Sequence, residues 1–470
     1  MSDINLFHPQ YAPMTIRWER NRDACKGQLA VKSKGRQYLP DDNANIHGTD
    51  SIDGPEGDKD LYRRQYRNYL ERAVFMSFSQ NTRDGWTGMI FAKPPTVVLP
   101  TGLKDLEENV DGAGLSLTQL AKSCSSETIE VGRIGLLADY PRGIEGATKE
   151  DDERLNLRPR IVTYASEDIV DWDEDTFGSV TKLTMVKLRE VYFERADDGN
   201  GWKDPETRYR ILRLDNEIYT QELVDESGSY IDEPFMPTMA GGKPFDHIPF
   251  GVAGSENNKM NIDDAPISGI VDLNLSHYVN SADLEASMHR FSMATLMVCT
   301  GEESATDFTK RNPAGVQLGQ GIALGNGGSI KIEQMADSPA LSNHLTQKEE
   351  QAEKIGARFA GEGTSKNVTA EAARINAANS TATLTTLVGN VSEAIEARLE
   401  DCALFVGADP KTVEFELNDQ FYGDTFDKDL YAVAYELYMD GAISKEEFKN
   451  VLNGMGMEFK LDGEGKDPVI

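Results

Sequence analysis

Three stretches of this 470-residue chain have residue types and spacings that could do chemistry. In GARFAGEGTSK, Gly356 and Gly361 have the G-x-x-x-x-G spacing of a phosphate-binding loop, in which backbone amides cradle the phosphate and a following Lys and Ser or Thr complete the site. Glu362 and Gly363 stand at those two positions, and a carboxylate there repels phosphate, so no nucleotide site is expected. In MDGAISKEEF, Asp440, Gly441, Ile443 and Glu447 match the fifth, sixth, eighth and twelfth positions of a calcium loop. Its first and third ligands would be Glu436 and Tyr438, and a tyrosine cannot supply the carboxylate oxygen needed. A turn between two helices, with Ser444 and Glu447 as a capping box, explains the stretch better. Asp168, Asp171, Asp173, Glu174 and Asp175 form an acidic run that would attract a divalent cation, yet such runs are usually solvated faces.

No other constellation points to catalysis. The six histidines are scattered without an H-E-x-x-H pair, and His277 and His289 are expected on helix surfaces. There is no G-x-S-x-G elbow, and GQGIALGNGG is too irregular for a dinucleotide fingerprint; tight β turns account for it. Cys25, Cys124, Cys299 and Cys402 are far apart, which suits reduced thiols and argues against a structural zinc. The expectation is a chain that is not an enzyme and carries no cofactor or metal.

The charge balance narrows the partners. Against 48 basic residues stand 79 acidic ones, a net charge of −31, while hydrophobic content of 39% is ordinary for a folded protein. Such a chain repels nucleic acid and anionic lipid unless its cations gather on one face, so tight phosphate binding is disfavoured. The opening MSDINLFHPQ lacks the basic and apolar segments of a signal peptide, and no run of roughly 18 apolar residues would span a bilayer.

The elements that would position these residues are read from periodicity. Residues 1–58 are polar, and DDNANIHGTDSIDGPEGD suggests a loop or mobile arm. Tyr62, Tyr66, Tyr69, Ala73 and Met76 mark a helix running on toward Pro94, and a second helix covers Leu117 to Arg133, followed by the strand GLLADY. RIVTYA, KLTMVKL and RYRILRL alternate as strands, with IPFGVAG closing the block and Asn257, Asn258 and Asn261 forming a polar joint. Ile267, Ile270, Val271, Leu275, Tyr278 and Ala282 then stripe a helix reaching about Arg290, with Asp263 and Asp264 as candidate caps. Residues 294–335 read as a Gly-rich β insertion built from ATLMVCTG, VQLGQGIALG and SIKIEQ. A helix from Pro339 carries Leu345, Ala352, Ile355 and Phe359, stops at GEGTSK, and a last helix of about 60 Å runs from about Asn367 to Val406. AEAARINAANSTATLTTLVGN has too few large apolar residues for the middle of a conventional core, so close packing on other helices, with a bend at Gly389, is expected. The fold class is α+β.

This order, together with YRNYLERAVFMSFSQNTRDGWTGMIFAKPP, GRIGLLADYPR, ASEDIVDWDED, DLNLSHYVNSADLEASMHR, GARFAGEGTSKNVTAEAAR and DGAISKEEFKNVLNGMG, resembles the portal proteins of tailed double-stranded DNA bacteriophages over about Leu61 to Met457. The resemblance implies a homo-oligomeric ring, typically of twelve subunits, at one capsid vertex of the virion, assembled in the host cytoplasm. Its partners would be the terminase large subunit, the major capsid and scaffolding proteins, a neck adaptor, and duplex DNA passing through without sequence specificity. By position, residues 1–262 resemble an N-terminal arm and α/β wing, 263–292 a first stem helix, 293–337 a clip, and 338–360 a second stem helix. Residues 361–367 resemble a tunnel loop, 368–406 the long wing helix and 407–470 a crown.

A helix descending to the axis, a short loop in the bore and a helix leaving again would explain the Gly-Glu-Gly break, since Gly361 and Gly363 permit turns that other residues resist. Arg358, Gly361, Glu362, Gly363, Thr364, Ser365 and Lys366 are then the channel residues. Arg358 and Lys366 would touch phosphate in passing, while Glu349, Glu350, Glu353 and Glu362 make a wall that holds DNA off within about 10 Å. The rival readings are another neck or adaptor ring component, and a metal-dependent enzyme built on Asp168 to Asp175.

Overall fold

The computed structural model describes residues 6–40, 59–141, 157–196, 200–291, 295–313, 315–316, 322–333, 339–355 and 370–419, with 421, 435, 437–439, 444 and 448. The run 41–58, Phe359, the whole GEGTSK break and most of residues 420–470, including nearly all of MDGAISKEEF, lie outside the described residues.

Ahead of that run, residues 11–33 form helices α1 (Tyr11–Lys26) and α2 (Gln28–Ser33), which the polar composition of the N-terminal stretch does not announce. α1 buries Trp18, whose indole N–H donates to the Val131 carbonyl at 3.1 Å. Its Arg22 lies between Glu127, Glu130 and Glu167, bonding Glu167 at 2.7 Å. Trp18 and Arg22 anchor the helix together with the buried Tyr11, Ala24 and Cys25.

The helix expected from Leu61 onward is two helices, α3 (Lys59–Arg72) and α4 (Phe78–Ile90). After the short strand β1 (Thr96–Val98) and helix α5 (Asp105–Glu108) comes α6 (Leu117–Val131). Its start is fixed by a reciprocal capping box between Ser116 and Gln119. It ends at Gly132, where φ is +92° and an added Cβ would sit 2.5 Å from the Asp263 carbonyl oxygen, so only glycine fits.

Strand β2 (Arg133–Asp139) is buried along its whole length between β3 (Arg160–Ala165) and β8 (Phe250–Gly254), antiparallel to both. A meander of four antiparallel strands, β4 (Ile169–Phe177), β5 (Val180–Tyr192), β6 (Glu206–Asp215) and β7 (Ile218–Asp225), forms the second sheet. Its last hairpin turns on Asn216 and Glu217, both at positive φ, the two-residue geometry that matches strand twist.

Helix α7 (Ser268–Phe291) buries Ile270, Val271, Leu275, Tyr278 and Ala282, and Ile267 just before it is buried too, the expected stripe. Asp263 does not cap it: its carboxylate accepts the backbone N–H groups of Glu256 and Asn257, bracing the turn after β8. The insertion is a hairpin of β9 (Thr295–Cys299) and β10 (Ser329–Glu333), and it encloses a helix, α8 (Ala305–Arg311), that periodicity alone does not announce. In VQLGQGIALG, the residues described form no strand. Helix α9 (Pro339–Ile355) packs along α7.

The last helix, α10 (Ala370–Val406), contradicts the expectation of an apolar-poor helix excluded from a core. From Leu384 onward it is the central helix of the main core, burying Leu387, Val388, Val391, Ile395, Leu399 and Cys402 against β2 and β8. The small residues are concentrated before Leu384, and averaging over the helix hides its greasy half. The helix is uninterrupted at Gly389. Its contact with β8 is closed by two amides: Asn258 donates to the Asn390 carbonyl and Asn390 to the Gly254 carbonyl, each at 2.9 Å. Strand β11 (Glu414–Glu416) then pairs with β1.

Candidate functional site

The acidic run does not converge. β4 sends successive side chains to opposite faces, and Asp171 pairs with Lys187 at 3.4 Å while Asp168 pairs with Arg189 at 3.1 Å. Between them Trp172 is buried, with the His8 ring stacked on it at 3.7 Å and the Arg133 guanidinium 4.5 Å from its ring centre. The carboxylates thus neutralise cations around a docked N-terminal segment, where the Leu6 carbonyl also accepts from Lys187 at 2.7 Å. Among the described residues no group of three or more His, Cys, Asp or Glu is arranged to hold a metal.

A second polar cluster joins the two sheets around a cavity of about 180 Å³. Asp139 pairs with Arg160 at 2.8 Å, Gln221 bridges Asp139 and Tyr219, and Arg210 bonds Gln221 at 3.0 Å and Glu190 at 2.7 Å. With donors and acceptors matched, the cluster acts as a strut between the sheets.

The wall carboxylates expected from sequence fall on the α7–α9 seam and beside it. α9 turns Leu345, Lys348 and Ala352 toward α7, all buried. The Lys348 ammonium donates to the Ser276 carbonyl at 3.0 Å and to its hydroxyl at 2.7 Å, and burial lowers its pKa. Glu349 reaches back to His277, with Oε1 3.3 Å from Nε2. Glu353 is half-buried, while Glu350, two residues beyond Lys348 and so on roughly the opposite side of the helix, is exposed. The three carboxylates fall within about 100° of one another around α9 and differ in exposure. Arg358, Gly361, Glu362, Gly363, Thr364, Ser365 and Lys366 lie outside the described residues.

His277 is the residue most misjudged from sequence: it is 2% exposed rather than on a helix surface. It packs edge-on against Phe78 of α4 at 5.2 Å, whereas His289 is exposed as expected. One turn earlier on α7, Asn274 performs a job the local sequence of α4 leaves undone. The N-cap Ser77 makes no side-chain bond, and Asn274 Oδ1 instead accepts the Ser79 N–H at 3.1 Å while its Nδ2 donates to the Met76 carbonyl at 2.6 Å. Asn274 and His277 sit three apart on α7, a signal visible in the sequence but hidden by the apolar stripe around it.

With this geometry in view, a family model described as a domain of unknown function, DUF4055, matches residues 266–406, the stretch from the start of α7 to the end of α10. The match spans less than half of the chain. Among curated proteins none matches. Three similar solved structures are the virion of the native gene transfer agent (GTA) particle, the neck of the native GTA particle computed with C12 symmetry, and the neck of the empty GTA particle computed with C6 symmetry. The first is 14% identical, with 82% of this chain and 92% of that chain covered and a TM-score of 0.41. The second is 14% identical, covering 89% and 98%, with a TM-score of 0.40. The third is 12% identical, covering 88% and 98%, with a TM-score of 0.39. Scores of this size do not establish a shared fold.

Proposed function

We propose that the chain is the subunit of a portal ring at one capsid vertex, forming the channel for DNA packaging and ejection. The observation that carries this reading is the arrangement of α7, the β9–β10 hairpin and α9: two helices packed side by side and joined by a small insertion, after which α10 returns as the central helix of the main body. The ordered sequence phrases that resemble phage portals support it independently. In this reading α7 and α9 form the stem, the insertion meets the terminase large subunit and later the neck adaptor, and residues 361–367 turn toward the bore.

The chain itself supplies no catalytic step. Motor energy comes from the terminase, and the portal contributes a passage whose charge keeps phosphates from sticking. Glu350, exposed on the side of α9 away from α7, is the wall carboxylate best placed to act in this way.

Electron microscopy of the purified full-length protein tests the proposal. The expected result is a ring with a central hole whose density puts the α9–α10 connection at the axis. A monomer at every concentration, or a ring with that connection on its outer rim, overturns it. A ring that binds neck proteins but never terminase would make the chain an adaptor instead.

A further inference from the structure

We propose that His277 makes the α7–α9 seam proton-sensitive, so that uptake of one proton loosens the packing of α9 on α7. This does not depend on the ring reading, because every group involved lies within one subunit. The Nδ1 atom of His277 is buried and, among the described residues, has no hydrogen-bond partner. The neutral ring with its proton on Nε2 satisfies the site, donating to Glu349 across 3.3 Å. A second proton must go to Nδ1, creating a buried N–H aimed at no acceptor.

The charged groups acting on the ring are Glu349, which favours the added proton, and Lys348, which opposes it, both from α9. From α4 it meets the Phe78 ring. α1 meets α7 through Arg20 on Asp272, and α3 through Tyr69 on Asp283. Burial, assisted by Lys348, outweighs Glu349 and lowers the His277 pKa below its ordinary value of 6.5. A lowered folded-state value means the unfolded chain takes the proton first. The seam is then whole above 6.5 and weakens as pH falls toward the folded value. Apart from Lys348, Leu345 and Ala352 are the only buried side chains among the described residues of α9, so the loss is felt locally.

Hydrogen exchange on the full-length protein, read by mass spectrometry from about pH 7.5 down to about pH 5 and corrected for intrinsic chemistry, tests this. In the wild type the opening of α9 amides should rise on acidification by up to about tenfold per pH unit, the limit for one proton. The C-terminal half of α10 should not change over the same range. His277→Gln should abolish the rise, and His277→Phe, which fills the site without titrating, provides the same test if the glutamine variant folds poorly. Glu349→Gln, at a half-exposed position, should leave the onset in place and carry the rise to lower pH before it levels off, so that the total rise by about pH 5 is at least that of the wild type. An unchanged rise in either His277 variant, no rise in the wild type, or a total rise by about pH 5 smaller in Glu349→Gln than in the wild type overturns the proposal.

Discussion

The C-terminal half of α10 and the whole of α9 are both helices packed on neighbours, yet they are held by different forces. α10 buries a continuous apolar face from Leu384 to Phe405, sealed by amide contacts at Asn390. Among its described residues α9 buries Leu345, Ala352 and Lys348, and it relies on polar contacts with Ser276 and His277. Apolar burial is indifferent to pH and forgiving in direction, whereas a seam of few polar contacts responds to charge and to the loss of single atoms. The body should therefore behave as a rigid block and the helix pair as its adjustable part.

The largest effect expected is in the body. Leu387→Ala, at a fully buried position, should destabilise by about 2–5 kcal/mol in chemical denaturation; a loss below about 1 kcal/mol would mean that the core collapses around the gap and is less rigid than argued. Next comes Asn274→Ala, which leaves the Ser79 N–H without its acceptor and removes one of two donors from the Met76 carbonyl, and should cost about 1–3 kcal/mol, with exchange increased at the start of α4. If the α4 amides are unaffected, α7 does not cap that helix.

A smaller, pH-dependent effect belongs to the body's own histidine. His247 lies between Asp401 on α10, 2.8 Å from Nε2, and Asp246, 2.9 Å from Nδ1. Burial lowers its pKa, but the two carboxylates outweigh burial and raise it above 6.5. A raised folded-state value stabilises below 6.5, and this contribution is lost as pH rises through the folded value. Asp401→Asn should flatten that part of the stability profile; a profile identical to wild type would remove His247 from the account. The two histidines thus respond to pH in opposite directions, and a titration of both regions by hydrogen exchange sharpens the comparison. Smallest of all, Glu350→Gln on the exposed side of α9 should change stability by no more than about 0.5 kcal/mol. A larger loss would show that this face is packed against something.

Much of the fold was legible where one physical rule dominated. The stripe of α7, the strands at KLTMVKL and RYRILRL and the helix starting at Leu117 follow from periodicity, and the structure has each of them, adding the capping box of α6. Legibility failed where a few residues outweighed the average. Trp18 and Arg22 carry α1 into the core although the segment is polar, and the buried half of α10 is diluted by its small-residue half. The break between α3 and α4 was missed because Tyr69, Ala73 and Met76 keep helical spacing across a segment where Gln28 and Asn274 take up the backbone groups.

By itself the sequence determined an α+β chain of strong negative charge, without a recognisable catalytic motif, whose helices and strands follow the order of its apolar periods. Those properties depend on residues near one another in the chain. Only the tertiary structure decided that His277 is buried, that Asp168 and Asp171 answer to separate cations, and that Glu349 turns back to α7 while Glu350 faces out. A polar side chain's role depends on which distant atoms meet it, and in this molecule those partners are commonly tens to hundreds of residues away, beyond the reach of any local pattern.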